Sequence, residues 1–186
     1  KIVITADIAV RRGKAIQLKA IVDEALINAP TVEHVIVLRR KEPCLDLHPT
    51  RELDFYGVME GVSDECPPEV MDAEDPLFIL YTSGSTGKPK GVVHTCGGYM
   101  VGTHYTSKYV FDIKDNDIFW CTADPGWVTG HSYIIYGPLA VGATVFITEL
   151  TPDYPDAGSW WNLIEEQKIT ILYTAPTAIR TFMKVG

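Results

Sequence analysis

Residues 77–91 read Leu77-Phe78-Ile79-Leu80-Tyr81-Thr82-Ser83-Gly84-Ser85-Thr86-Gly87-Lys88-Pro89-Lys90-Gly91. Their reading decides the fold. LFILYT is a short apolar and aromatic run, the signature of a buried strand. The ten residues 82–91 then hold three glycines, four hydroxyl residues and two lysines. Glycines let the backbone turn tightly and aim N–H groups inward, and the hydroxyls and ammoniums add donors and positive charge. Physically this is a cradle for a polyphosphate. The spacing is not that of the G-x-x-x-x-G-K-[ST] loop, because Pro89 stands five residues after Gly84, and no G-x-G-x-x-G occurs. A solvent-exposed turn that binds nothing is the competing reading, but a plain turn rarely carries so many donors.

The same alternation extends outward in both directions. Residues 2–5 (IVIT) predict a buried strand. Leu18, Ile21, Val22, Ala25 and Leu26 recur at helical spacing up to Pro30, and residues 34–38 (HVIVL) predict a second strand, giving a β-α-β unit with a parallel crossover. Residues 39–76 carry Pro43, Pro49, Pro67, Pro68 and Pro76 and read as a long irregular excursion with one short helix near residues 51–57. After the loop, a helix is predicted over about 95–109, strands over 118–122, 144–148 and 169–174, a helix over 159–167, and a last helix from Pro176. The expected fold class is α/β: a layered, parallel-type sheet with flanking helices. Three segments follow, 1–38, 39–76 and 77–186.

Composition narrows the function classes. The chain has 186 residues, a net charge of −8 and 46% hydrophobic residues. Disorder is excluded. The acidic balance argues against a nucleic-acid or anionic-membrane partner. Cys44, Cys66, Cys96 and Cys121 are widely spaced, which fits reduced thiols in a cytoplasmic protein. Residues 125–148 hold no charge, but two prolines and four glycines break them up, so a buried strand–loop–helix–strand is expected there rather than a membrane span. The opening at Lys1 and the close at Gly186 are read as those of a piece of a longer protein. His94 and His104, placed on a helix, and His131 have no partner at metal-ligand spacing and read as structural. No protein metal ligand is assigned, and no G-x-S-x-G is present.

YTSGSTGKPKGV at residues 81–92 resembles the phosphate-loop signature of the acyl-adenylate-forming enzymes. WCTADPGWVTGHSY at 120–133, YGPL at 136–139, YTAPTAIR at 173–180 and ITAD at 4–7 are similar to the AMP-forming acetyl-CoA synthetase branch of that superfamily. The resemblance implies a part of the large N-terminal domain of such an enzyme, inactive by itself. The reaction it implies forms acetyl-AMP and pyrophosphate from acetate and ATP with Mg²⁺, after which coenzyme A displaces AMP. A sibling ligase for propionate or another short acid, a non-catalytic nucleotide-binding module, and a structural domain remain as alternatives.

The resemblance also assigns roles. Thr82 and Lys88 are the implied catalytic residues. Thr82, Ser83, Gly84, Ser85, Thr86, Gly87, Lys88 and Lys90 are the implied nucleotide-phosphate contacts. Trp127, Val128 and Thr129 line the implied acyl pocket; taken alone, Trp127 reads better as a core aromatic, and its setting in GWVTGHSY favours the pocket. Arg11, Arg12, Gly13 and Lys14 match the coenzyme A turn, with Lys14 where the family usually has Arg. Thr129 and Asp153 complete that site, Asp153 standing where the family usually has Asn. A carboxylate there accepts hydrogen bonds but donates none. The partners implied are small molecules.

Overall fold

The computed structural model describes residues 1–40, 47–82 and 87–185. The chain divides into two compact units, Lys1–Pro68 and Glu69–Gly186.

In the first unit, β1 (Ile2–Ala6), β4 (His34–Leu38) and β5 (Glu52–Asp54) form a parallel sheet in the order β1-β4-β5. Helix α1 (Leu18–Leu26) lies between β1 and β4 in sequence, as a β-α-β unit requires. Leu26, Val35 and Val37 make the core, with Val3, Val22, Ala29, Val32 and Leu47 packed on it. The two valines are fully buried, each contributing about 2 kcal/mol of apolar burial. A short antiparallel hairpin, β2 (Ala9–Arg11) and β3 (Lys14–Ile16), leaves the end of β1. A short helix, α2 (Phe55–Met59), follows β5. Asp54 caps it by accepting from the Gly57 N–H at 2.8 Å.

Three expectations are corrected here. The stretch read as irregular contains β5, whose three residues are too few to show a period. Its helix starts at Phe55 rather than near residue 51. Strand β1 is not buried on both faces: Ile2 and Ile4 are 61% and 67% exposed. Helix α1 also turns differently from its apolar pattern. Leu18, Val22 and Leu26 face inward while Ile21 and Ala25 stay exposed, and Lys19 is buried. The cause is an ion pair. Lys19 Nζ lies 2.5 Å from Glu52 and 2.6 Å from Asp23, tying α1 to β5. Burial pushes the Glu52 carboxyl up, but the Lys19 ammonium and the His48 N–H outweigh it and hold the group below the usual carboxylate range.

In the second unit, β8 (Ile118–Cys121) is the centre of a parallel sheet ordered β10-β8-β9, with β9 spanning Thr144–Phe146 and β10 Ile171–Tyr173. Alternation along β8 sends its side chains to two cores. Phe119 and Cys121 pack with Ile134, and Trp120 packs with Trp160 of α6 (Ser159–Glu166) and Phe182 of α7 (Pro176–Val185). Ahead of this sheet, β6 (Pro76–Thr82) pairs antiparallel with β7 (Lys90–Thr95), and α3 (Cys96–Tyr109) follows directly. Strand β7 was not foreseen, and it places His94 on a strand rather than on a helix. Nor is β6 fully buried, since Ile79 and Tyr81 are 57% and 69% exposed.

Between β8 and β9 the chain forms α4 (Val128–Gly130), a π-helical segment (His131–Tyr136) and α5 (Gly137–Ala140). This run lies on α3 at close range because it lacks side chains at the contact. A Cβ built on Gly137 would stand 2.5 Å from Ser107 Oγ, 2.7 Å from the Ser132 carbonyl and 2.9 Å from the Thr103 carbonyl. Gly137→Ala is therefore expected to destabilise the fold by about 2 kcal/mol or more, as overpacking against backbone does. Gly102→Ala, on α3 with nothing within 4 Å of the added Cβ, is expected to be neutral or to stabilise by about 0.5–1 kcal/mol. Urea midpoints of the two variants check the contrast.

Candidate active site

The segment read as a polyphosphate cradle connects β6 to β7 at the turn end of their hairpin. Thr82 ends β6 and is paired in register with Lys90, which begins β7. Ser83, Gly84, Ser85 and Thr86 lie outside the described residues. Gly87 has φ +79 with nothing within 4 Å of an added Cβ. Backbone conformation, rather than crowding, calls for glycine there. Thr82, Lys88 and Lys90 are all exposed, so the hairpin end presents a hydroxyl and two ammonium groups to solvent.

What holds this hairpin is a ring cluster. Phe78 of β6 faces His94, its cross-strand partner, with centroids 4.7 Å apart. Tyr99 of α3 meets Phe78 edge-on at 4.9 Å, His131 lies at 4.8 Å, and Tyr136 stacks at 5.8 Å. The Tyr99 hydroxyl shares a 2.7 Å hydrogen bond with Ser132 Oγ, and burial pushes that phenol above its ordinary range. The β6–β7 hairpin, α3 and the π-helical segment are thus fastened at one point. His94 and His131 are parts of this packing.

The segment read as the acyl pocket enters the π-helical run from the other side. Asp124 Oδ1 accepts from the Gly126 N–H at 2.8 Å, and its carbonyl accepts from the Trp127 N–H at 3.0 Å, which is an Asx turn. A Cβ on Gly130 would overlap the Asp124 carbonyl, so this turn requires glycine. The carbonyl of Trp127 is 3.1 Å from His131 Nδ1 and accepts the Nδ1–H in that tautomer. The backbone is therefore fixed, yet the Trp127 side chain is 72% exposed and Val128 46%, with Thr129 half-buried. Trp127 is not a core aromatic. The turn holds a large indole out of the core, an exposure unusual for so large an apolar ring.

A small cleft opens at the carboxyl ends of β8 and β9, with Thr122, Pro125, Ile134 and Thr148 on its walls. Ligands of parallel α/β sheets bind at such strand ends. Thr122 Oγ1 and Thr174 Oγ1 share a 2.7 Å hydrogen bond there, joining the ends of β8 and β10. Cys121 also lines the cleft, but burial pushes its thiol up, so it stays protonated. Neither this threonine pair nor Tyr99–Ser132 was singled out from sequence; each links residues over 30 positions apart and has no local pattern.

In the first unit, Arg11, Arg12, Gly13 and Lys14 form the tip of the β2–β3 hairpin. Arg11 and Lys14 are register partners. Arg12 and Gly13 have φ 49 and 72, the two positive values of a type I′ turn. The turn juxtaposes cations on exposed residues. Like charges opposite one another are destabilising, so the tip is chemically suited to an anion. Thr129 and Asp153 belong to the second unit. Asp153 is exposed and accepts from the Thr151 hydroxyl at 3.3 Å. Among the described residues no group of three or more His, Cys, Asp or Glu could hold a metal ion, and no helix is long and apolar enough to cross a membrane.

These features define an AMP-binding enzyme: the chain belongs to that family, whose profile matches residues 1–186. Among curated relatives, it is 58% identical to the acetyl-coenzyme A synthetase of Syntrophobacter fumaroxidans and 56% identical to that of Syntrophus aciditrophicus, over its whole length in both cases. It spans 29% of the length of each. Among solved structures, it is similar to an acyl-CoA synthetase of Brucella canis, with a TM-score of 0.77 and 25% identity, covering all of this chain and 30% of that one.

Proposed function

We propose that the chain supplies the phosphate loop, an acyl-pocket wall and a coenzyme A turn of an AMP-forming acetate–CoA ligase. The observation that carries the proposal is the 53–58% identity to acetyl-coenzyme A synthetases over the chain. In the first step an acetate oxygen attacks the α-phosphorus of ATP and pyrophosphate leaves. In the second, the coenzyme A thiolate attacks the acetyl carbonyl and AMP leaves.

The first step brings two anions together, so it needs charge neutralisation and positioning. Lys88, Lys90 and the Thr82 hydroxyl meet that need at the β- and γ-phosphates, together with Ser83, Gly84, Ser85, Thr86 and Gly87. Mg²⁺ arrives as the counterion of ATP. The described part of this chain offers it a hydroxyl at Thr82 and no carboxylate cage. Trp127, Val128 and Thr129 wall the acyl group and exclude water, leaving room for a short acid. Arg11, Arg12, Gly13 and Lys14 take the coenzyme's 3′-phosphate, and Thr129 and Asp153 are further coenzyme A contacts in the same proposal. A cytoplasmic setting belongs to the same proposal, supported by the unpaired thiols of Cys66, Cys96 and Cys121.

In the full-length ligase, Lys88→Ala is expected to cut acetate-dependent ATP–pyrophosphate exchange by about 10²-fold or more. Thioester formation from supplied acetyl-AMP should change far less, because pyrophosphate has left before the thiol attacks. Equal losses in both assays would remove Lys88 from the phosphate site. Arg11→Ala is expected to spare the exchange and to weaken coenzyme A by about 10- to 100-fold, the cost of a lost charged hydrogen bond. The affinity for dephospho-coenzyme A should be unchanged. A variant that still discriminates between the two as wild type does would make the turn an ordinary basic loop.

A further inference from the structure

Asp7 sits where the first unit's sheet ends and the β2–β3 hairpin begins, and it is 5% exposed. Its Oδ1 accepts from the Ile8 N–H at 2.7 Å and the Arg40 N–H at 2.9 Å. Its own N–H donates to the Leu38 carbonyl at 3.0 Å, and its carbonyl accepts from the Lys19 N–H at 3.1 Å. One residue therefore joins the end of β1, the end of β4, the first turn of α1 and the root of the hairpin. Ile8, buried behind it, leads directly into β2. A buried carboxylate is costly unless hydrogen bonds hold it, and here the Ile8 and Arg40 N–H groups at the strand ends are among the groups that hold it. The hairpin's two strands have three residues each and no buried side chain. Such a hairpin does not fix its own direction.

We infer that Asp7 is a positioning residue for the coenzyme-binding turn: it sets the direction in which the hairpin holds Arg11 and Lys14. The inference rests on the proposed role of that turn. The phosphate loop belongs to a different unit, so a positioning role predicts an effect on coenzyme A alone.

The test uses full-length ligase carrying Asp7→Ala, Asp7→Ser and Asp7→Asn, with Arg11→Ala beside them. The alanine variant loses the acceptor, the serine variant shortens it, and asparagine retains an oxygen at the Oδ1 position. Asp7→Ala is expected to raise the KM for coenzyme A by about tenfold, the scale of a lost charge-assisted hydrogen bond. Acetate-dependent ATP–pyrophosphate exchange should stay within about twofold of wild type, as a group outside the phosphate site allows. Amide exchange over residues 9–16 should accelerate, and Asp7→Asn should recover most of the coenzyme A affinity. If the alanine variant does not fold, the serine variant carries the same comparison. Unchanged coenzyme A affinity, or equal loss of affinity and exchange, overturns the inference, and so does failure of both variants to fold, which assigns Asp7 to the fold alone. If Arg11→Ala also leaves coenzyme A binding intact, the turn itself is misassigned. If only the Asp7 variants are silent, the turn stands and the positioning role falls.

Discussion

Phe78 is the point on which the second unit's site depends. Its ring touches one side chain from the partner strand, one from α3 and two from the π-helical segment. Aromatic pairs at these separations contribute about 0.5–1.5 kcal/mol each beyond their buried area. Their directional role matters more. A two-stranded hairpin is marginal by itself, and its loop end would sweep a wide arc. With Phe78 pinned, Thr82 and Lys90 project from a fixed base, and the same contacts hold His131 four residues from the exposed indole of Trp127. The Tyr99–Ser132 hydrogen bond closes the arrangement. The glycines at 130 and 137 let the segment approach Asp124 and α3 closely enough for it to form.

A common design links the two units. The core of each forms on a parallel sheet packed against helices on at least one face, whereas the cations assigned to phosphate groups stand on antiparallel hairpins. Parallel strands buried on both faces have little room for exposed charge. A hairpin carries the chain out to solvent and back, so Lys88 and Lys90 in one unit, and Arg11 and Lys14 in the other, can be exposed without disturbing a core. Glycines with positive φ, at 13 and 87, make both turns possible. Each hairpin is steered from its root, by Phe78 in one case and by Asp7 in the other.

Much of this was legible in the residues. HVIVL and IFWC announce central strands because they are short, apolar and rich in β-formers, and both lie where expected. The donor-rich loop is explicit because a cradle needs unusual composition. Strand β7 was hidden: Lys90-Gly91-Val92-Val93-His94-Thr95 begins inside the loop motif, and half of its residues are poor strand formers. Its place comes from pairing with β6. Three-residue β5 was hidden for the same reason. Lys19 misled, because a buried lysine breaks an apolar pattern and its ion partner Glu52 lies 33 positions away. Trp127 could not be classified from sequence alone, since an indole in an apolar segment looks the same whether it fills a core or faces a ligand. Its 72% exposure excludes a place in the core of this chain.

In the proposed reaction, acetate is activated on the α-phosphorus and the acetyl group is released from AMP by attack of the coenzyme A thiolate at the carbonyl carbon. It is tested most directly by supplying the full-length ligase with [¹⁸O₂]acetate, ATP, Mg²⁺ and coenzyme A, and reading the label in the phosphorus products by mass spectrometry. An acyl-adenylate route leaves the bridging oxygen on AMP, so AMP should carry one ¹⁸O from acetate and pyrophosphate none. Label in a released phosphate, unlabelled AMP, or ADP as the nucleotide product would contradict the account.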